Sequence, residues 1–217
     1  KILKDMGFAN FSQTPVEESP TFFPRHSYSQ EEIPNPSLEE LAQQSTPPAH
    51  HPFQFWTVVD YANAYRAQTI TPLIVAERII NAVQQSNSSS PPLRAITTLN
   101  TDDVLKQAQA STERFVSNQP LGLFDGVPVA VKDEIDQCGY PTTVGTAFLG
   151  HHPAQEDATV VARFRNAGAL LIGKANMHEI GIGVTGMNPH HGHARNPYNT
   201  DYITGGSSSG SAASVAA

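Results

Sequence analysis

The chemistry this sequence can offer is concentrated in Gly205-Gly206-Ser207-Ser208-Ser209-Gly210-Ser211, where two glycines lead into a row of hydroxyls with little bulk around them. A serine hydroxyl is a weak nucleophile until a base accepts its proton. Lys132 is a second landmark. It ends Gly126-Val127-Pro128-Val129-Ala130-Val131-Lys132-Asp133, an apolar run bounded by glycine and charge. Such a run predicts a buried strand, with Pro128 confining its start to an edge or an irregular position. Functional groups of α/β sheets gather at the C-terminal ends of strands, where Lys132 would emerge. A lysine accepts a proton only when neutral, which requires its pKa to fall from ~10.4 toward ~7–8, roughly 4 kcal/mol that burial can supply. The alternative for Lys132 is a solvated ammonium paired with Asp133 or Glu134.

Other groups compete for attention. Gly206-Ser207-Ser208-Ser209-Gly210 fits G-x-S-x-G, the nucleophile elbow of α/β-hydrolases, with Ser208 at its centre. That fold needs an Asp and a His after the serine and a strand before it. Only small residues follow, and Asp201-Tyr202-Ile203-Thr204 is short. A glycine/serine run can also be a flexible linker, but the alanine-rich tail after it predicts a tightly packed helix over 208–217, with backbone N–H groups at its start. His190, His191 and His193 invite a metal reading. It is set aside because HExxH is absent, Cys138 is distant and adjacent histidines point different ways.

These groups need a scaffold, and the chain from Trp56 onward supplies one. Val58, Ala62 and Tyr65 fall on one face of a helix over 57–66, and Thr71-Pro72 provides an N-cap and a first-turn proline for a second helix. Its inward stripe is Leu73, Ala76, Ile80 and Val83, and it ends at the loop from Ser86 to Pro92. Ile96–Leu99 predicts a short strand, and Thr101-Asp102-Asp103 opens a helix whose buried side is Leu105, Ala108, Thr112 and Phe115. Asp157 is read as the cap of a further helix with Val160, Val161 and Phe164 inward and Gly168 at its end. Ala169-Leu170-Leu171-Ile172-Gly173-Lys174 is then a strand. Strand, helix, strand in that order implies an α/β fold, a mixed twisted sheet flanked by helices.

Residues 1–55 form an N-terminal arm of different texture, and 56–217 the regular body. Prolines at 15, 20, 24, 34, 36, 47, 48 and 52 interrupt any long element in the arm, apart from a capping box at Ser37-Leu38-Glu39-Glu40 that predicts a short helix to Gln44. Phe8, Phe11, Phe22 and Phe23 predict packing on the protein's own surface, with a membrane surface or a partner subunit, including a second copy, as alternatives. The 217 residues carry a net charge of −7 without a Lys/Arg cluster, which argues against nucleic acid. No apolar run approaches the ~20 residues of a membrane span. Lone Cys138 has no internal disulfide partner, which favours a reducing compartment, cytoplasmic or at a membrane.

Taken together, Gly-Val-Pro-Val-Ala-Val-Lys132-Asp, Gly-Ala-Leu-Leu-Ile-Gly-Lys174-Ala-Asn-Met-His-Glu, Arg195-Asn-Pro-Tyr-Asn and Gly-Gly-Ser207-Ser-Ser-Gly-Ser-Ala-Ala resemble the amidase signature family, in order and from Trp56 to Ala217. The Asp133-Glu134-Ile135-Asp136 run, Lys174 to Glu179 and the triple serine are most similar to plant-type fatty acid amide hydrolases; a general amidase or the A subunit of an amidotransferase is the alternative. The resemblance implies a serine amidase acting on small acyl amides, of the fatty acid amide or N-acylethanolamine type, through a Ser-Ser-Lys relay without metal or organic cofactor. Lys132 would be the base and Ser207 the bridging serine after a cis peptide bond. Ser208, Met177 and Gly181 are the implied substrate-binding positions. The implied nucleophile is another serine, about two dozen residues past Ser207 and beyond Ala217. The sequence therefore reads as truncated, and the piece alone as inactive or as a partner-binding fragment.

Overall fold

The computed structural model describes Ser37, Glu40 and residues 56–217. The arm's phenylalanines and the predicted helix end at Gln44 lie outside those residues. The capping box is present: Ser37 N–H donates to Glu40 Oε2 at 2.7 Å and Glu40 N–H to Ser37 Oγ at 3.1 Å.

Helix α1 spans Val58–Arg66 behind a second capping box, Thr57 with Asp60, and buries Ala62 and Tyr65. Helix α2, Pro72–Ser88, begins as its Thr71-Pro72 entry predicts and buries Val75, Ala76 and Ile80. It runs further than expected into the serine-rich stretch. Ser86 and Ser88 hydroxyls donate to the carbonyls of Val83 and Gln84, satisfying groups that a helix end leaves open.

Strand β1 is Ile96–Thr98, helix α3 Thr101–Val116, strand β2 Pro128–Lys132, helix α4 Thr159–Asn166 and strand β3 Leu170–Ala175. They form a sheet ordered β1-β3-β2, with β1 antiparallel and β2 parallel to the central strand, so β2-α4-β3 is a parallel crossover unit. One face carries Leu170 and Ile172 against α2 and α3, through Ala76, Ile80, Val104 and Ala108. The other carries Val131 and Leu171 against Val161 of α4.

Three expectations are corrected here. Strand β2 is not wholly buried: only Val131 is, because β2 lies at the edge of the described sheet. Asp157 does not cap α4; its carboxylate takes the Cys138 N–H at 2.7 Å and the Arg165 guanidinium at 2.6 and 3.0 Å, leaving the cap position to Ala158. Val160, expected inward, is exposed, while Val161 is buried. In α3 the buried face is Val104, Ala108, Ser111 and Phe115. Ser111 turns inward because its hydroxyl donates to the buried Asp125 carboxylate at 2.6 Å, which also receives Arg114 and the Leu121 N–H.

After β3 a 3-10 turn at Glu179–Gly181 leads to a two-stranded ribbon, β4 Arg195–Asn196 and β5 Asn199–Ile203. Helix α5, Ser209–Ala216, follows, matching the helix predicted from the small-residue tail.

Candidate active site

The ends of β2 and β3 project two lysines, and a bulge decides where each one goes. The strands pair Val129 with Leu171, then Ala130 with Gly173, so Ile172 is an extra residue on β3. Val131 then stands beside Lys174 and Lys132 beside Ala175. Paired neighbours point to one face and successive residues to opposite faces, so the bulge sends Lys132 and Lys174 to opposite sides. Without it the two ammoniums would be side by side. Gly173 makes the bulge feasible, with φ +139° and no room for a Cβ beside the Thr98 carbonyl.

Lys174 is fully buried. Its Nζ donates to Pro141 O and Thr142 Oγ1 at 3.0 Å each and lies 3.2 Å from Asp133 Oδ1. Burial pushes this amine below the ordinary lysine value, with Asp133 opposing the shift. Asp133 also receives the Thr143 hydroxyl and the amides of Thr143 and Gly145. The pair thus fastens the 141–145 loop onto the sheet.

Lys132 meets a different set. Its Nζ is 2.9 Å from Ser207 Oγ and 2.9 Å from Glu134 Oε1. The Lys132 side chain is 12% exposed and that of Glu134 39%. Both alternatives read from the sequence are therefore present: the serine contact and the pairing with Glu134.

Ser207 is held by the segment that continues β3. The Ser207 carbonyl accepts from His178 N–H at 2.9 Å, and Gly210 N–H donates to Asn176 O at 2.7 Å. Gly210 is needed for that approach, since a Cβ there would overlap the Ala95 carbonyl and the Asn176 backbone. Asn176 is a hub that sequence reading passed over. Its buried side-chain amide donates to Arg94 O and Gly192 O at 3.0 Å, and its oxygen accepts from Met177 N–H at 2.8 Å. Its only signal in the sequence was a polar side chain directly after the strand Leu170–Ala175. The Gly206–Ser207 peptide bond is cis.

The remaining candidate positions are distributed around this centre. Ser208 is exposed and stands at the start of α5. Gly181 is half-buried against the Glu134 carboxylate, and Met177 is fully buried with its Cε beside Gly181. The loop from Ile180 to Met187 exposes Ile180, Ile182, Val184 and Met187. It is anchored at His178, whose Nδ1 accepts from Met187 N–H at 3.0 Å. His190 pairs with Glu179 at 2.9 Å, and its backbone and that of His191 donate to Asn188. Among the described residues no three His, Cys, Asp or Glu groups form a metal-binding cluster. For the elbow reading, the strand before Ser208 is β5, which belongs to the ribbon and not to the main sheet.

The comparisons with known proteins agree with one another. A family profile described as Amidase matches residues 77–217. Fatty acid amide hydrolase of Oryza sativa subsp. indica is 48% identical over 165 residues, covering 76% of this chain and 27% of the relative. The Arabidopsis thaliana protein of the same name is 46% identical, with the same coverage. The A subunit of glutamyl-tRNA(Gln) amidotransferase from Symbiobacterium thermophilum is 39% identical over 70% of this chain and 31% of the relative. Native peptide amidase from Stenotrophomonas maltophilia matches in structure with a TM-score of 0.67, at 29% identity over 73% of this chain and 33% of that one. The chain spans about a quarter of the length of the plant relatives, 27%.

Proposed function

We propose, starting from the fact that this chain belongs to the amidase signature family, that it supplies the base and the bridging hydroxyl of a serine amidase. The single observation carrying this reading is the 2.9 Å contact between Lys132 Nζ and Ser207 Oγ, at the C-terminal end of β2. In the proposed reaction Lys132 accepts a proton from Ser207, which in turn takes one from a nucleophilic serine of the longer protein. That serine attacks the amide carbonyl. The relay then runs backwards, protonating the departing amine, and water releases the acyl group. No cofactor enters this scheme.

The substrate class is a fatty acid amide or N-acylethanolamine. Supporting it are the identity to the plant hydrolases and the apolar side chains exposed between Ile180 and Met187, on the loop tied to the residue that binds Ser207. Ser208, Gly181 and Met177 are the proposed substrate-binding positions, Met177 acting from beneath Gly181. A second reading, the A subunit of an amidotransferase, is favoured by the 39% identity to that protein. The two separate on substrates: the first predicts turnover of long-chain acyl amides, the second of glutamine.

The test uses the longer protein. Lys132→Ala is expected to lower amide turnover about 10²-fold or more, and unchanged turnover refutes the assignment. A fluorophosphonate probe is expected to label the longer protein and not residues 1–217 alone. Labelling of this chain at Ser208 would establish the elbow reading instead.

A further inference from the structure

His178 touches the Ser207 segment with its backbone and the apolar loop after it with its side chain. Its N–H donates to Ser207 O at 2.9 Å. Its Nδ1 accepts from Met187 N–H at 3.0 Å, and Thr185 Oγ1 lies 3.4 Å from the same nitrogen. Glu179 N–H donates to Met187 O at 3.1 Å, so two consecutive residues bind both polar groups of the Met187 backbone and close the loop at its base. The imidazole also lies on Gly183, where a Cβ would overlap the ring. Gly183 is outside the left-handed region, so room for the ring is what glycine supplies there.

The loop backbone is fixed at further points. Ile180 is β-branched yet has φ +61°, a conformation that persists only where the surroundings impose it. Its N–H donates to Val144 O at 2.9 Å. Gly186 packs on the Gly205 carbonyl, and a Cβ at Gly206 would overlap the Gly186 backbone. The loop therefore rests against the two glycines that lead into Ser207. Ile182 and Val184, on either side of the residue beneath the imidazole, are 84% and 81% exposed. Apolar side chains on a backbone tied down in this way lose little freedom when a ligand covers them.

Resting on the amidase reading above, we infer that the His178 imidazole is a positioning residue that sets preference for long acyl chains, by holding the Ile182 and Val184 loop in place beside the Ser207 segment. An acyl chain that reaches the loop gains apolar contact with each added methylene, and the gain is largest when the loop is already ordered. A short acyl group draws nothing from the loop. Replacing the ring removes the bond to Met187 and the packing on Gly183, but keeps the backbone N–H that binds Ser207 O. Long substrates should therefore suffer more than short ones.

The experiment measures kcat and KM of the longer protein for N-palmitoylethanolamine and N-butyrylethanolamine, which share an amine and differ in acyl length. His178→Ala is expected to lower the palmitoyl-to-butyryl ratio of kcat/KM about tenfold, chiefly through KM for the long substrate. His178→Asn, whose side-chain oxygen can accept from Met187 N–H, is expected to recover most of the ratio. Gly183→Ala keeps the histidine but displaces its ring, and is expected to lower the ratio as His178→Ala does. It takes the place of His178→Ala should circular dichroism show that variant unfolded. Equal losses on the two substrates, which leave the ratio unchanged, would make His178 a purely structural residue and overturn the inference, as would no recovery in His178→Asn. Failure of the amidase reading looks different: a wild-type protein that hydrolyses neither substrate, or whose turnover survives Lys132→Ala, overturns both.

Discussion

Two lysines leave adjacent parallel strands one bulge apart, and they do opposite things. Lys174 is enclosed, and its three N–H groups have three oxygen partners at fixed positions, Pro141 O, Thr142 Oγ1 and Asp133 Oδ1. Lys132 is near the surface and has two partners among the described residues, the Ser207 hydroxyl and the more exposed Glu134 carboxylate. One amine is consumed in holding a loop. The other has a hydroxyl that can exchange a proton with it. The difference follows from the faces they occupy, which the extra residue on β3 sets, and not from residue type.

The contrast can be broken in three ways, the largest effect first. In the longer protein, Lys132→Ala is expected to lower turnover by ~10²–10⁴-fold while leaving the thermal midpoint close to wild type. Lys174→Met should do the reverse in kind: stability falls by about 3–5 kcal/mol in urea unfolding, because Asp133 stays buried without its cation. A loss of turnover with no loss of stability in Lys174→Met would erase the distinction. Gly173→Ala is next, expected to cost ~1–3 kcal/mol as the new methyl meets the Thr98 carbonyl and disturbs the bulge, with turnover falling as well.

The smallest effect is at Asp157, outside the comparison, and serves as its control. The Arg165 guanidinium, and then the Cys138 amide, hold the Asp157 carboxyl below its ordinary value against the opposing effect of burial. Its folded pKa is thus lower than its unfolded one. The resulting stability is complete above pH ~4 and is lost as pH falls through the folded value. Asp157→Asn should therefore be less stable than wild type by about 1 kcal/mol at pH 7, and the gap should close in acid. Chemical unfolding at a series of pH values measures it, and turnover at pH 7 should be unaffected.

How much of this could be read beforehand depends on where each signal resides. The helices at Pro72 and Ser209, the strands at Ile96 and Leu170 and the crossover between β2 and β3 were legible, because caps, small-residue runs and apolar periods are local. Lys132 and Ser207 were legible as a pair only through the resemblance to the amidase signature family, since 75 positions separate them. Features built from distant partners were not. Asp157 resembles a cap until Arg165 and the Cys138 amide claim it, and Ser111 resembles a surface residue until Asp125 turns it inward. The bulge at Ile172–Gly173 left no trace beyond one glycine in a strand. Asn176 ties Arg94, Gly192 and α5 together through contacts that no spacing rule foretells.

The central claim is that Lys132 and Ser207 act as one proton-transfer unit. A double-mutant cycle on turnover by the longer protein tests it most directly, with Lys132→Ala, Ser207→Ala and the two combined. Groups that share one step are strongly non-additive, so each single change should cost ~10²-fold or more and the pair about as much as the worse single. Losses that multiply in the double variant would mean that the two residues work independently, and would contradict the account.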